Sequence, residues 1–117
     1  MPRSFNAKLV GVTYKNSDGS DRQAYIRKFA KQEMPILLRP EPNNPHDKNA
    51  VGAWITATVF WFFKEDIQLG YLDSRLAEEV SELIKRGGSV SAKIVEIVGG
   101  YDDAESYGVI AEITKSE

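Results

Sequence analysis

The sequence predicts a mainly β fold of the α+β class, with a small, barrel-like antiparallel sheet of six strands and two short helices. Two observations carry this prediction. The apolar patterns give the order strand, helix, three strands, helix, two strands, which lacks the regular strand–helix alternation of parallel sheets. The 117 residues, 42% hydrophobic and 27% charged, suit one domain with a modest core. We therefore predict that residues 1–117 form a single domain.

A turn separates the first strand from the first helix. Apolar and polar residues alternate over residues 5–14, which predicts a strand. The cluster Asn-Ser-Asp-Gly at 16–19 predicts a turn. Ser20 and Gln23 have the spacing of a capping box, so we predict a helix over residues 21–31 that begins after Ser20.

Three strands follow, and prolines or charged residues divide them. The segment 35–39 begins with proline and continues with apolar residues, and two further prolines stop it. Residues 50–63 are rich in β-branched and aromatic side chains and predict a long strand. The charged segment 64–66 predicts the turn back into a fourth strand over residues 67–72.

The last third of the chain predicts a helix and two strands. Asp73 is suited to cap the helix, and Gly87 stands where a left-handed C-cap is expected. A fifth strand begins near Val90, residues 99–106 form a loop, and residues 107–114 form the last strand. The helix is amphipathic, with apolar side chains at the helical 3, 4 spacing: Leu76, Ala77, Val80, Leu83 and Ile84.

The composition excludes several kinds of site. The chain has no cysteine and a single histidine, His46, so disulfides, thiolate nucleophiles and multi-histidine zinc sites are ruled out. We predict no cofactor. The net charge of −2 argues against strong non-specific binding to nucleic acid. Residues 1–50 carry a net charge of +4 and residues 51–117 carry −6, so an anionic partner is expected to meet the first half.

No segment of the sequence resembles a signal peptide or a membrane span. Lysine interrupts the apolar residues near the N-terminus. The longest apolar stretch is much shorter than the roughly 20 residues that cross a bilayer. We therefore predict a cytoplasmic protein without a membrane partner.

The loop at 41–50, with the sequence Glu-Pro-Asn-Asn-Pro-His-Asp-Lys-Asn-Ala, is unusually polar and stiff for a connection. One interpretation is an Asx-type turn, in which Asn44 and Asp47 bind their own backbone. The other is a rigid rim that presents an amide, a carboxylate and the His46 ring for hydrogen bonding and stacking. The residues alone leave both interpretations open.

Three ordered motifs are similar to those of the HIRAN domain. They are GVTYKNSDGSDRQ, EPNNPHDKNAV and LGYL followed by a helix, and the resemblance covers roughly residues 7–114. The most specific element is the run from Pro42 to Ala50. This chain resembles the stand-alone bacterial form of a domain that also occurs in fork-remodelling ATPases.

The resemblance implies a non-catalytic, OB-like barrel that binds the 3′ end of single-stranded DNA, in DNA repair or stalled-fork processing. In the family, the asparagine and aspartate of the loop hold the terminal nucleotide, and the aspartate accepts a hydrogen bond from the 3′-hydroxyl. His46 stands where the family usually has tyrosine, and Lys15 follows a retained tyrosine whose neighbouring arginine is lost. The predicted nucleic-acid-binding residues are Tyr14, Lys15, Asn44, His46, Asp47, Lys48 and Tyr71.

The aromatic run Phe60-Trp61-Phe62-Phe63 is longer than this hairpin usually is in the family. In a strand, Phe60 and Phe62 would face one side, and Trp61 and Phe63 the other. One interpretation is a core strand covered by a helix. A second is a homodimer or protein-partner interface, which would make the chain a protein-interaction module. Base stacking is less favoured, because only Lys64 accompanies the run.

Two charged clusters are expected to be solvated. The acids of the 99–106 loop, Asp102, Asp103 and Glu105, resemble a metal site but more often lie free in solvent. The cationic residues of the first helix are interpreted mainly as its solvated face: Arg22, Arg27, Lys28 and Lys31.

Overall fold

The computed structural model of the chain describes residues 2–100 and 106–117. The order of elements is the predicted one. The elements are β1 (Arg3–Lys8), α1 (Arg22–Phe29), β2 (Pro35–Pro40), β3 (Val51–Val59), β4 (Phe63–Tyr71), α2 (Ser74–Lys85), β5 (Ser89–Val98) and β6 (Gly108–Ser116).

All six strands belong to one antiparallel sheet in the order β1-β6-β5-β2-β3-β4. The predicted mainly β, antiparallel fold with two helices is therefore confirmed. The predicted closed barrel is not, because no ladder joins the edge strands β1 and β4 within residues 2–100 and 106–117. A single bridge spans the gap: the amide of Val10 donates to the carbonyl of Tyr71 at 2.8 Å, and the amide of Tyr71 donates back at 2.9 Å.

The first strand is shorter than predicted. It ends at Lys8, and Gly11 adopts a φ of +69°, which turns the chain away from the sheet. Leu9 and Val12, three residues apart on either side of this glycine, are both buried in the core. Apolar residues therefore continue through a segment that is not a strand.

The first helix begins one residue later than predicted. Its N-cap is Asp21, whose Oδ1 accepts from the amides of Gln23 at 2.9 Å and Ala24 at 3.4 Å. The predicted Ser20 cap is wrong, since the Ser20 hydroxyl donates to Asp18 Oδ1 at 2.6 Å. A carboxylate accepts hydrogen bonds more strongly than a hydroxyl, which explains the choice.

Gln23, predicted to complete that capping box, instead joins distant segments. Its side-chain Nε2 donates to the carbonyls of Val12 and Tyr107, each at 2.9 Å. Its Oε1 accepts from the amide of Tyr107 at 2.7 Å. One amide side chain thus connects the loop after β1, the helix α1 and the residue before β6.

The turn between β3 and β4 lies earlier than predicted. β3 ends at Val59 and β4 begins at Phe63, so residues 60–62 form the turn, not residues 64–66. Phe60 and Trp61 adopt positive φ values of 46° and 74°, which aromatic residues rarely do. Sequence propensity favours a strand here, and it therefore concealed the turn.

The core lies between the sheet and the two helices. Asp73 caps α2 by accepting from the amide of Leu76 at 2.9 Å, and Gly87 beyond its end has a φ of +87°, both as predicted. α2 buries Leu76, Ala77, Val80 and Leu83, whereas the fifth predicted apolar position, Ile84, is exposed. The largest fully buried side chains are Ile26, Ile55, Leu69, Ile94, Ile113, Val51, Val80 and Val109.

The predictions about the acidic cluster and about a membrane span can be compared with the described residues. The acidic residues Asp102, Asp103 and Glu105 lie outside the described residues. Within the described ranges, no group of three histidine, cysteine or acidic side chains is arranged to hold a metal ion. Among the same residues, neither helix has the length and apolar character needed to cross a membrane.

Candidate nucleic-acid interface

A groove of 580 Å³ is formed by four parts of the chain. They are the loop over residues 15–20, the start of α1, the 41–50 loop, and the adjacent faces of β3 and β4. Three of the residues predicted from the sequence line this groove: Lys15, His46 and Tyr71.

Tyr71 links the groove to the polar loop. It is the last residue of β4, and its bridge to Val10 fixes its backbone. Its hydroxyl donates to Oε1 of Glu41 at 3.0 Å, and the side-chain Nδ2 of Asn44 donates to the same oxygen at 2.9 Å. The ring of Tyr71 is therefore held in a fixed orientation beside the loop.

Arg22 lies under the groove, although the sequence suggested a solvated position. Its side chain is only 6% exposed. Its Nε donates to Asn16 Oδ1 at 2.6 Å and its Nη1 to the carbonyl of Gly11 at 2.7 Å. The guanidinium carbon is 5.2 Å from the centre of the Tyr71 ring, within cation–π range. The sequence held one signal, because position 22 shares a helix face with the buried Ile26 four residues later.

Gly11 brings two tyrosines together. A Cβ at this position would lie 3.8 Å from the rings of both Tyr14 and Tyr71, and 3.3 Å from Nη1 of Arg22. Tyr14 is 70% exposed, so its ring faces are available to a ligand. Tyr14 is not among the residues that line the groove, but its ring lies near that of Tyr71, which does line it.

The 41–50 loop is organised by its own side chains. Oδ1 of Asn44 accepts from the amides of His46 at 2.8 Å and Asp47 at 3.1 Å. Oδ1 of Asp47 accepts from the amide of Asn49 at 2.8 Å. Helix α2 pins the end of the loop, since the hydroxyl of Ser81 donates to the carbonyl of Asn49 at 3.1 Å. The loop therefore contains the Asx turns of the first interpretation.

This local bonding leaves part of Asp47 available. In the part of the chain that the structure describes, its Oδ2 accepts no hydrogen bond. Asp47 lines a second, smaller depression of 470 Å³. His46 lines both this depression and the groove. Asn44 and Lys48 line neither of the two. The depression is lined by His46, Asp47, Asn49, Ser74, Arg75 and Glu78.

The groove contains an unpaired donor on its floor. Nε1 of Trp54 is buried, and it has no hydrogen-bond partner among the described residues. A Cβ on Gly52 would be 2.9 Å from this atom, 3.0 Å from Glu41 Oε2 and 3.1 Å from Gln68 Nε2. Two N–H donors and one carboxylate therefore surround Gly52. A hydroxyl group, which both accepts and donates, complements such a set.

The charges of the groove are mixed rather than basic. Arg39 forms an ion pair with Asp66, and Glu41 already accepts two hydrogen bonds, so some of the negative charge is compensated. A groove of this kind is poorly suited to a long phosphate backbone. The lining charges are Lys15 and Arg22, with Asp18, Glu41, Glu65 and Asp66.

Asp66, which lines the groove, should make the stability of the fold depend on pH. The hydroxyl of Thr56, which donates to its Oδ1 at 2.6 Å, and the guanidinium of Arg39 hold the pKa of the Asp66 carboxyl below its ordinary value of 3.8. A carboxyl whose pKa is lowered by folding stabilises the fold at pH values above its ordinary pKa. This stabilisation is lost as the pH falls through the pKa of the folded state. We expect Asp66→Asn to reduce the fall in Tm between pH 7 and pH 3, measured by circular dichroism. An identical fall in both proteins would contradict this assignment.

Comparisons with known proteins point to one family. The HIRAN domain family matches residues 2–106. The fold is similar to the crystal structure of the HIRAN domain of human HLTF, with a TM-score of 0.62 and 18% identity over 96% of this chain and 74% of that chain. It is also similar to a protein from Lactobacillus plantarum, with a TM-score of 0.57 and 17% identity over 97% and 98% of the two chains. No curated protein matches the chain.

Proposed function

Because the chain belongs to the HIRAN domain family, whose members are generally DNA-binding modules, we propose that it binds single-stranded DNA and prefers a free 3′ end. The observation that carries the proposal is the groove in which Tyr71, His46 and Trp54 meet the buried Arg22. The module acts by binding alone, without catalysis, in the processing of DNA ends during repair or at stalled forks, in the cytoplasm.

The aromatic and imidazole rings in and beside the groove favour single-stranded over double-stranded DNA as the ligand. Unpaired bases expose faces that stack on aromatic and imidazole rings, whereas bases inside a duplex do not. The exposed ring of Tyr14 stands next to Tyr71, and His46 borders the same groove. These rings would take successive bases near the end of a strand.

The acidic side chains support a strand end over an internal segment. Carboxylates repel phosphates but accept hydrogen bonds from hydroxyls. Glu41 lies within the groove, and Asp47 lines the second depression beside His46, with an Oδ2 that accepts no hydrogen bond among the described residues. A terminal 3′-hydroxyl would meet these acceptors, while a phosphate in the same place would be repelled.

The rigidity of the 41–50 loop supports its proposed role in binding the end of the strand. The bonds from Asn44 and Asp47 to the loop backbone hold both side chains in place before any ligand binds. Little conformational entropy would then be lost on binding. The Asx turns and the end-binding role are therefore compatible, since each uses a different oxygen of Asp47.

Replacement of Asp47 by alanine tests the end preference. A hydrogen bond to a charged group contributes about 1.5–3 kcal/mol. We expect Asp47→Ala to bind a 3′-hydroxyl strand about ten-fold or more weakly, and to bind a 3′-phosphorylated strand as well as or better than wild type. Fluorescence anisotropy with short labelled single strands measures both affinities.

Two variants control this experiment. Asp47→Asn keeps an oxygen that can accept from the Asn49 amide, so it should preserve the turn and still lose discrimination between the two ends. His46→Ala should weaken both strands alike, since stacking, at about 1–3 kcal/mol per base, ignores the terminus. Equal binding of both ends by the wild-type protein would refute the 3′-end preference.

A further inference from the structure

The end of the β3–β4 hairpin carries four consecutive exposed aromatic side chains. We call Phe60, Trp61, Phe62 and Phe63 the aromatic tip. Their side chains are 82%, 94%, 73% and 58% exposed, respectively. Neither side of the run is packed in the core, so the predicted core strand is wrong. Such a concentration of exposed apolar area generally marks a binding surface.

The backbone holds these rings outward. Phe60 and Trp61 are both in the left-handed region, and the amide of Phe62 donates to the carbonyl of Phe60 at 2.9 Å. The rings of Phe62 and Phe63 lie 4.8 Å apart at an interplanar angle of 35°. Strained backbone conformations of this kind concentrate at functional sites.

An apolar groove of 530 Å³ connects the tip to α1. Tyr25 and Glu65 line both this groove and the candidate nucleic-acid groove, so the two grooves are adjacent. A strand bound in the first groove would reach the tip by passing over these two side chains. The apolar groove is lined by Ala24, Tyr25, Phe29, Val59, Phe60 and Trp61.

The fold also supplies cations that the aromatic run itself lacks. Lys28 of α1 lines the apolar groove, and Lys64 follows the tip in β4. Two acids, Asp21 and Glu65, line the same groove, and Asp21 is engaged in capping α1. Charge near the tip is therefore balanced, so that ring faces would provide the main attraction.

We propose that the aromatic tip is a second nucleic-acid contact, which stacks on bases several nucleotides away from the bound end. This inference rests on the proposed function. The register of the hairpin separates Tyr71 from Phe63 by eight residues, which is about 26 Å at about 3.3 Å per residue. At the rise of about 3.4 Å per nucleotide of a fully stacked strand, about eight nucleotides cover this distance. Eight is an upper limit, because a single strand with unstacked bases is more extended. Affinity should therefore increase once a strand is long enough to reach the tip.

The test compares two strand lengths in two proteins. The probes are oligothymidylates of four and twelve nucleotides with free 3′ ends, titrated by fluorescence anisotropy. We expect the double variant Trp61→Ala/Phe62→Ala to bind the twelve-nucleotide strand at least ten-fold more weakly than wild type. Binding of the four-nucleotide strand should be unchanged. Because both side chains are exposed, the variant should keep its fold.

Two measurements sharpen the result. Trp61 fluorescence should be quenched by the longer strand alone, and this quenching should be absent from the double variant. Ile84→Ala, which removes an exposed apolar side chain from α2, should leave both affinities unchanged.

The outcomes separate the two proposals. If wild type and the double variant bind both lengths equally, the tip is not a nucleic-acid contact, and the proposed function stands. Conversion of a wild-type dimer to a monomer in sedimentation, with unchanged binding of both strands, would assign the tip to a second copy of the chain. A wild-type protein that binds neither strand overturns both proposals.

Discussion

The Arg22→Ala protein is expected to unfold at a much lower temperature than the wild type and to bind single-stranded DNA poorly. Arg22 is buried and donates to Asn16 Oδ1 and to the carbonyl of Gly11. Its removal leaves Asn16 Oδ1 without a donor among the described residues, whereas the Gly11 carbonyl still accepts from the amide of Tyr14 at 3.2 Å. Hydrogen bonds from a charged donor contribute about 1.5–3 kcal/mol each. Since such losses are not additive, we expect a decrease of about 3 kcal/mol in the free energy of unfolding.

For a domain of this size, that loss lowers Tm by on the order of 10 °C. Thermal unfolding followed by circular dichroism measures the change. Arg27→Ala is the matched control, because Arg27 is an exposed arginine on the same helix, and its replacement should change stability by less than about 0.5 kcal/mol. Equal Tm values for the two variants would show that the buried hydrogen bonds of Arg22 do not stabilise the fold.

Gly70→Ala is expected to destabilise the protein, because the new Cβ would clash with the backbone of Val10. A Cβ on Gly70 would lie 2.6 Å from the carbonyl oxygen of Val10 and 3.0 Å from Cγ1 of Val12. The segment after β1 must then move away from β4, which breaks the two hydrogen bonds between Val10 and Tyr71. Overpacking of this kind costs about 1–3 kcal/mol, and the lost bridge places this variant at the upper end.

The same displacement would separate Tyr14 from Tyr71, so binding of single strands should weaken along with stability. Urea denaturation and anisotropy measure the two effects. Gly19→Ala is the control, since Gly19 has nothing within 4 Å of its Cβ position, and its only strain is a φ of +87°. If Gly70→Ala is no less stable than Gly19→Ala, the close approach at Gly70 is not a constraint on the fold.

The sequence was sufficient for the order of elements because hydrophobic periodicity reports burial directly. The apolar stripe of α2, its Asp73 cap and Gly87 were all read correctly from local patterns. The errors lie where tertiary contacts override local preference. In the β3–β4 hairpin, Phe60 and Trp61 occupy a turn that their propensities disfavour, so the turn was placed too late.

The candidate site was less predictable, because it depends on segments that meet only in the folded chain. The motif of the 41–50 loop identified His46, and the motif around β4 identified Tyr71. Glu41 begins the same loop motif but has no predicted role, and Trp54 lies in no motif; their importance comes from the converging contacts around Gly52 and Tyr71. The sequence predicts a solvated position for Arg22, because its charge favours solvent more strongly than its helix position favours burial.

The hydrogen bonds of Gln23 have a consequence for the order of folding. They connect Val12 and α1 to Tyr107, which is 84 residues after Gln23 in the chain. β1 likewise pairs with β6, so that Arg3 lies opposite Lys115. Contacts between such distant residues form slowly, because the chain must close a long loop before they stabilise it. On the ribosome, the start of α1 and the groove above it would therefore reach their final arrangement only after the last strand emerges.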